Sequence, residues 1–281
     1  MGIRATHIGP LALWWLAAGC GSGQPAAGEP GNTTSAEHAT GAPTEERPQD
    51  STPAPMGPPE DNSEACGQII LSAYAGAKFA KPEVTRTAEQ ARKRAEGLRA
   101  RIHAGEAFGP LATSHSEAPT SAPRGGTVGT YERSAWPDLH EAILDPLFGL
   151  AIGQVADQII EAPYGFVVLK RCPVEKVRAR HILVRYAGAK RAKGSITRSR
   201  EQAREHAEAL HAKLSAGANF AELARSHSED GSAERGGDIG NPGRGLLALA
   251  FEQAVFALQP GEHSDVVETE FGFHVIERLP D

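Results

Sequence analysis

A pattern of about 100 residues that occurs twice in one chain predicts two domains of one design. Here Tyr74-Ala-Gly-Ala-Lys78 recurs unchanged as Tyr186-Ala-Gly-Ala-Lys190, an offset of 112 residues. At the same offset residues 85–105 (TRTAEQARKRAEGLRARIHAG) match 197–217 (TRSREQAREHAEALHAKLSAG). Both read as amphipathic helices. Leu98 and Ile102 share a face, as do Leu210 and Leu214, and Thr87 with Gln90, like Ser199 with Gln202, has capping-box spacing. Gly105 and Gly217 stand where a left-handed C′ residue belongs. Short apolar runs, 68–71 and 181–184, precede these helices and read as strands. A second helix follows (220–225 in the later copy), then a Gly-rich loop, a third helix (247–258) and a closing strand, 165–169 or 272–277. Further short strands are expected near 238–240 and 265–268. The loops are near-copies, SHSEAPTSAPRGGTVG at 114–129 and SHSEDGSAERGGDIG at 226–240. Asp230 of the second is Ala118 in the first.

The chain has 281 residues and a formal net charge of −6, which argues against general nucleic-acid binding, since phosphate neutralisation needs a basic surface. Residues 1–20 read as a secretory segment, with Arg4 as its charged end and an apolar stretch too short for a bilayer span. Leu16-Ala-Ala-Gly-Cys20 resembles a bacterial lipobox, with Ala17 where the commonest form has Leu. It implies lipidation of Cys20 and anchoring to a membrane of the bacterial cell envelope, facing the periplasm or exterior. Residues 21–64 are crowded with Pro, Gly, Ser and Thr, and eight acidic residues face the single Arg47. Such a segment buries too little apolar surface to offset its ordering entropy, so a disordered tether of roughly 35–40 Å root-mean-square span is expected. The folded domains are then 65–173 and 176–281.

In the second copy His181-Ile-Leu-Val, the long helix, Phe220-Ala-Glu-Leu-Ala, Ser228-Glu-Asp, Gly236-Gly-Asp-Ile-Gly, the helix with Phe251, and Gly272-Phe-His-Val-Ile follow one another. This order, over about 100 residues from 178 to 279, resembles the blocks of a parvulin-type peptidyl-prolyl cis-trans isomerase. The tethered tandem layout is similar to extracytoplasmic parvulin foldases and chaperones. The resemblance implies an α+β fold, each domain a four-stranded antiparallel sheet with about four helices. It implies unfolded or partly folded proline-containing polypeptides as partners, and no cofactor or metal.

X-Pro isomerisation faces a barrier of about 20 kcal/mol, and a 10⁴–10⁵-fold acceleration lowers it by roughly 5–7 kcal/mol. No bond is made or broken, so a site needs an apolar grip on the proline ring and polar groups that favour the twisted amide. The resemblance maps the proline pocket onto Ile239, Leu247 and Phe251. It maps a hydrogen-bonded histidine pair onto His181 and His274, with Thr269 beside them and Asp230 at the substrate carbonyl. Ala248 and Phe271 depart from the phosphoprotein-specific branch, which has glutamine and serine there. Arg185, Lys190 and Arg191 align with that branch's phosphate-reading cations; outside the cytoplasm a milder preference for acidic residues before proline is expected. His115 and His227 occur in both copies and read as structural loop residues.

In the first copy His181 corresponds to Ile69, Asp230 to Ala118, His274 to Val167 and Phe251 to Ile143, while Gly125-Gly126, Phe108 and Leu111 remain. The polar residues have gone together. A non-catalytic, client-holding first domain is expected, and an active second one. Cys66 and Cys172 bracket the first domain. If its outer strands pair antiparallel, as the histidine pair demands of the second copy, positions of near-equal sum face one another: Ile69 and Val167 sum to 236, Cys66 and Cys172 to 238. An oxidising compartment would permit a disulfide there.

The competing class is a holdase or assembly chaperone without isomerase activity, for which His181, His274 and Asp230 have no use. A serine hydrolase lacks its Gly-x-Ser-x-Gly elbow, and a phosphate-loop enzyme its Gly-Lys-Ser/Thr.

Overall fold

The computed structural model describes residues 63–280; the secretory segment, Cys20 and nearly all of the expected tether lie outside the described residues. The first domain runs β1 (Glu64–Ser72), α1 (Ala88–His103), α2 (Phe108–His115), β2 (Thr127–Glu132), α3 (Glu141–Gly149), β3 (Ile160–Ala162) and β4 (Gly165–Cys172). The second runs β5 (Ala179–Val184), α4 (Arg200–Ser215), α5 (Phe220–His227), α6 (Leu249–Ala257), β6 (Val267–Thr269) and β7 (Gly272–Arg278), and short 3-10 turns fill some of the loops. β1 begins inside the stretch expected as tether. Glu64 pairs with Glu132 of β2 and its carboxylate meets Lys176, which draws it into the sheet.

Both long helices carry the capping box that their sequences specify, Thr87 with Gln90 and Ser199 with Gln202. Each box satisfies two amide donors that the first turn leaves unpaired. Gly105 and Gly217 end the helices in left-handed conformation, φ +99° and +91°.

The first sheet has four antiparallel strands in the order β2-β1-β4-β3; the second has three, β5-β7-β6. The expectation of four strands in each domain therefore holds for the first only. In the second, the segment equivalent to β2 is reduced to isolated bridges, Arg180 with Asp238 and Lys176 with Gly243. The reason is chemical. Residues 127–132 are Thr-Val-Gly-Thr-Tyr-Glu, rich in strand formers, whereas their counterparts 238–243 are Asp-Ile-Gly-Asn-Pro-Gly, where proline lacks a ladder donor and glycine weakens strands.

Strand side chains alternate between the two faces of a sheet. In the second domain Ile182, Val184, Phe273 and Val275 point one way and join Ala203, Ala207, Leu210 and Phe220 of α4 and α5 in one core. Ala179 and Ile276 point the other way, against Phe251 and Val255 of α6. The same period puts His181 and His274 on the α6 face, so the core that builds the domain also carries the site.

Cys66 and Cys172 are direct cross-strand partners of β1 and β4 and form a disulfide, Cα–Cα 5.0 Å, bridging 106 residues. By loop-closure entropy such a bridge contributes up to about 4–5 kcal/mol. Reduction, or Cys66→Ser with Cys172→Ser, is expected to lower the Tm of the first domain's transition by up to roughly 20 °C in calorimetry; an unchanged Tm would contradict a stabilising bridge.

Candidate active site

The SHSE phrase is a scaffold in both domains. Ser228 Oγ accepts the Leu183 amide at 3.1 Å, and Glu229 accepts the Arg185 amide at 2.6 Å and the Arg198 guanidinium at 2.8 Å. Ser116 and Glu117 repeat this with Leu71, Ala73 and Arg86. The loop is thereby pinned to the strand that carries His181, or its counterpart Ile69. The Gly-Gly turn adds a second tie. The amide of His181 donates to Gly237 O at 3.0 Å, that of Ile69 to Gly126 O at 2.8 Å. Gly237 (φ +84°) and Gly126 (φ +91°) lie so close to these strands that a Cβ would strike the carbonyl oxygen of His181 or Ile69. His115 and His227 are the last residues of α2 and α5 rather than loop residues.

On the scaffold of the second domain the polar side chains form one connected line. Thr269 Oγ1 accepts the Phe271 amide at 3.1 Å and lies 2.7 Å from His274 Nε2. His274 Nδ1 lies 3.0 Å from His181 Nδ1, and His181 Nε2 lies 3.2 Å from Asp230 Oδ1. Asp230 Oδ1 also accepts the Ser232 amide at 2.9 Å and hydroxyl at 2.6 Å. The amide at one end can only donate and a carboxylate at the other only accept, so one arrangement supplies every contact with a single proton per ring. In it the Thr269 hydroxyl donates to His274 Nε2 and His274 Nδ1–H to His181 Nδ1, which leaves His181 Nε2–H facing the Asp230 carboxylate as an electrostatic contact outside hydrogen-bond geometry. Both rings are buried, 6% and 4% exposed. Burial, reinforced by His181, pulls His274 down to a pKa of about 3, against a partial opposing pull from Asp230. The His181 ring facing Asp230 holds that carboxyl far below the ordinary range; burial opposes this, and the two Ser232 donors add to it. Ser232, itself buried, is a member the sequence reading missed. No signal in the sequence sets it apart from the other serines of the loop.

The apolar residues expected at the proline pocket meet in one cluster, with Ile239 and Leu247 packed around Phe251. The Phe251 ring stands edge-on to both histidines, centroids 5.3 Å away in each case. Thr269, Asp230 and the histidines are thus brought together with the pocket.

The three cations do not converge as a free set. Arg185 donates to Glu229 O and Lys190 O and is absorbed in loop architecture. Lys190 lies 3.6 Å from Glu270 and 5.1 Å from the centre of the Phe271 ring, which Arg191 approaches at 5.8 Å. Arg191 holds φ +61°, as Phe79 at the equivalent position of the first domain holds +63°. Among the described residues no group of three or more metal-ligating side chains is brought together.

In the first domain Ile69, Ala118, Val167 and Ile143 occupy the counterpart positions, all buried in a single apolar cluster. Over them opens a mostly apolar cleft of about 560 Å³, lined by Ile69, Leu71, Ala118, Tyr164 and the exposed Phe79 and Leu139.

A model of the PPIC-type PPIASE domain matches residues 167–279, and a second model of the same description matches residues 77–172. The chain belongs to the PPIC-type, or parvulin-type, peptidyl-prolyl isomerase family, and carries two of its domains in tandem. The chaperone SurA of Ralstonia nicotianae is 36% identical over 199 residues, 66% of this chain and 38% of that protein. The chaperone SurA of Alkalilimnicola ehrlichii is 39% identical over 210 residues, 70% of this chain and 46% of that protein. The chain therefore spans less than half the length of these curated relatives. Among solved structures, the peptidyl-prolyl isomerase ESS1 from Candida albicans is 32% identical with a TM-score of 0.36, covering 37% of this chain and 63% of its own.

The buried line has a consequence for acid stability. Between about pH 6.5 and 3 the unfolded chain binds a proton on His274 that the folded chain excludes, so stability falls as pH falls through that window. Asp230, whose folded pKa lies below its ordinary 3.8, adds a further loss below that pH. Denaturant titrations from pH 7 to 4.5 should therefore show a slope that is steeper, by up to about 1.4 kcal/mol per pH unit, in the wild type than in His274→Gln. Equal slopes would show that His274 is not held neutral.

Proposed function

We propose that residues 176–281 catalyse cis-trans isomerisation of X-Pro bonds in extracytoplasmic client proteins, while residues 65–173 hold clients without catalysing. The observation that carries this reading is the polar line from Thr269 through His274 and His181 to Asp230, set against the Phe251 floor. Its counterpart in the first domain is wholly apolar.

The reaction needs no nucleophile. Phe251, Leu247 and Ile239 grip the proline ring. Asp230 carries a fixed negative charge at the substrate carbonyl, where an amide that has lost resonance differs most from a planar one. Oriented groups in a site poor in water discriminate between those two states without having to reorganise. The histidines touch the substrate less than they support the site: the His181 ring faces Asp230 and the pair closes the pocket floor. Client holding by the first domain is supported by its apolar cleft and by the likeness to proteins described as chaperones. Residues 1–20 complete the proposal as a secretory segment ending at a lipidated Cys20, which would tether both domains to a membrane of the cell envelope.

A protease-free isomerase assay on the full chain tests the assignment. Asp230→Ala and His181→Ala are each expected to lower kcat/KM by about 10²–10³-fold, the scale of losing one oriented polar group. Suppression of aggregation of a denatured client should stay at the wild-type level. Isomerase activity within twofold of wild type in both variants would place the catalysis elsewhere.

The basic loop gives a second expectation. With Arg185 tied to the backbone and Lys190 facing Glu270, Arg191 is the cation left to meet a residue before proline. Tetrapeptides with Glu before Pro should exceed those with Lys severalfold in kcat/KM, and Arg191→Ala should erase the difference; equal rates for Glu and Lys in the wild type would remove the idea.

A further inference from the structure

The helix that carries Phe251 also buries the next residue, Glu252, at 5% exposure. Buried carboxylates are rare unless paired. The first-domain counterpart of this position, in α3, is Leu144, so the fold itself does not ask for a charge here. The partner comes from the other domain. Arg124 Nη1 lies 3.0 Å from Glu252 Oε2, with only 14% of the arginine side chain and 6% of the glutamate exposed. Arg124 Nη2 donates to the backbone oxygen of Leu247 at 2.6 Å. Glu252 Oε2 in turn accepts the Gly245 amide at 2.6 Å. One guanidinium of the first domain thus reaches both ends of the segment that forms the proline pocket, its rim at Leu247 and its floor helix next to Phe251.

The backbones fit at the same place. The loop from 240 to 247 lies on β2 of the first domain so closely that a Cβ on Gly243 would stand 2.6 Å from Thr130 Cβ, and one on Gly245 2.5 Å from Gly129 Cα. In the second domain this segment has lost the strand pairing that its counterpart has in the first. Its first half is still tied to its own domain by the bridges of Arg180 with Asp238 and Lys176 with Gly243 and by backbone hydrogen bonds from Val177 to Pro242, Ala179 to Gly240 and Arg244 to Glu175, but beyond Arg244 the stretch up to Leu247 leans on the first domain. Arg235, the second-domain equivalent of Arg124, remains exposed and reaches only the Asp238 carbonyl oxygen at 3.3 Å. The tie therefore runs one way, from the first domain to the second.

We infer that Arg124 is a positioning residue for the second domain's proline pocket, so that the non-catalytic domain sets the shape of the active site. This inference rests on the assignment of catalysis to residues 176–281. Without the guanidinium, the Glu252 carboxylate is buried without its counter-charge and the Leu247 carbonyl oxygen loses its donor. The 245–247 end of the segment then loses its tie to the first domain, while 240–244 keep their backbone hydrogen bonds to 175–179; the pocket grips proline poorly at its Leu247 rim and the Asp230 line is untouched. The consequence is a weaker hold on substrate more than a slower turnover.

The test is steady-state isomerase kinetics on the full chain with an X-Pro peptide. Arg124→Ala is expected to lower kcat/KM about tenfold or more, as misplacement of a positioning element does, mainly through a rise in KM. Arg124→Lys keeps the charge but cannot serve the Leu247 oxygen and Glu252 together, and should recover part of the loss. Glu252→Gln should reproduce the KM effect and be non-additive with Arg124→Ala, which keeps the inference testable if either variant is thermally weakened. Arg101→Ala, which removes an exposed pair with Glu106 on α1, should match wild type. Wild-type kinetics in Arg124→Ala alongside the loss in Asp230→Ala would overturn the positioning role alone. Wild-type kinetics in both would overturn the site assignment and this role with it.

Discussion

The hydrogen bond between His181 and His274 ties the site to the fold. It joins β5 to β7 through side chains on the face that α6 covers, beside the backbone ladder that pairs the strands. Two buried imidazoles next to an apolar core are unfavourable unless every ring nitrogen has a partner. Here three of the four are hydrogen-bonded, through Thr269 and the contact between the rings, and the fourth, His181 Nε2, faces Asp230 Oδ1 at 3.2 Å as an electrostatic contact outside hydrogen-bond geometry. The direction of the Asp230 carboxylate is fixed by the Ser232 amide and hydroxyl, with the His181 ring facing it. Packing and chemistry are thus one requirement. In the first domain both histidines and the carboxylate are absent together, and of the line only the serine is kept, as Ser121, buried with its hydroxyl unpartnered. Ile69, Val167 and Ala118 turn the same volume into core.

Scaffold and machinery separate cleanly. Ser-His-Ser-Glu and Gly-Gly do the same work in both domains, pinning the loop to the first strand, and this holds whether or not the strand carries a histidine. Asp230 differs from its neighbours in that its side chain turns toward the histidine line and Ser232 rather than toward the strand. The loop is a fixed bracket, and the residue mounted on it decides what the domain can do.

Much of this was legible from residues alone, for local reasons. Capping boxes act over three residues, left-handed glycines over one, and the strand period placed His181 and His274 on a common face once the pairing was assumed. The repeat supplied an internal control that a single domain lacks. What stayed hidden depends on distance or on competition. The missing fourth strand of the second sheet turned on whether Asp-Ile-Gly-Asn-Pro-Gly could still hold a ladder, and isolated bridges at its two ends are what it keeps. β1 begins at Glu64 because the backbone there pairs with Glu132 nearly seventy residues on, and a lysine more than a hundred residues away meets its carboxylate. The pairing of Arg124 with Glu252 joins positions 128 residues apart with no motif in common, and Ser232 is one serine among many until its hydroxyl is seen on Asp230.

The account turns on the polarity of the buried line, with one proton on each ring and the charge kept on Asp230. Long-range ¹H–¹⁵N correlation spectra of the histidine rings at pH 7 read that directly. The predicted result is two neutral rings, His274 protonated at Nδ1 and His181 at Nε2, with the His181 signals shifting when Asp230 is replaced by Ala. A His274 ring protonated at Nε2, or an imidazolium at either position, would contradict it.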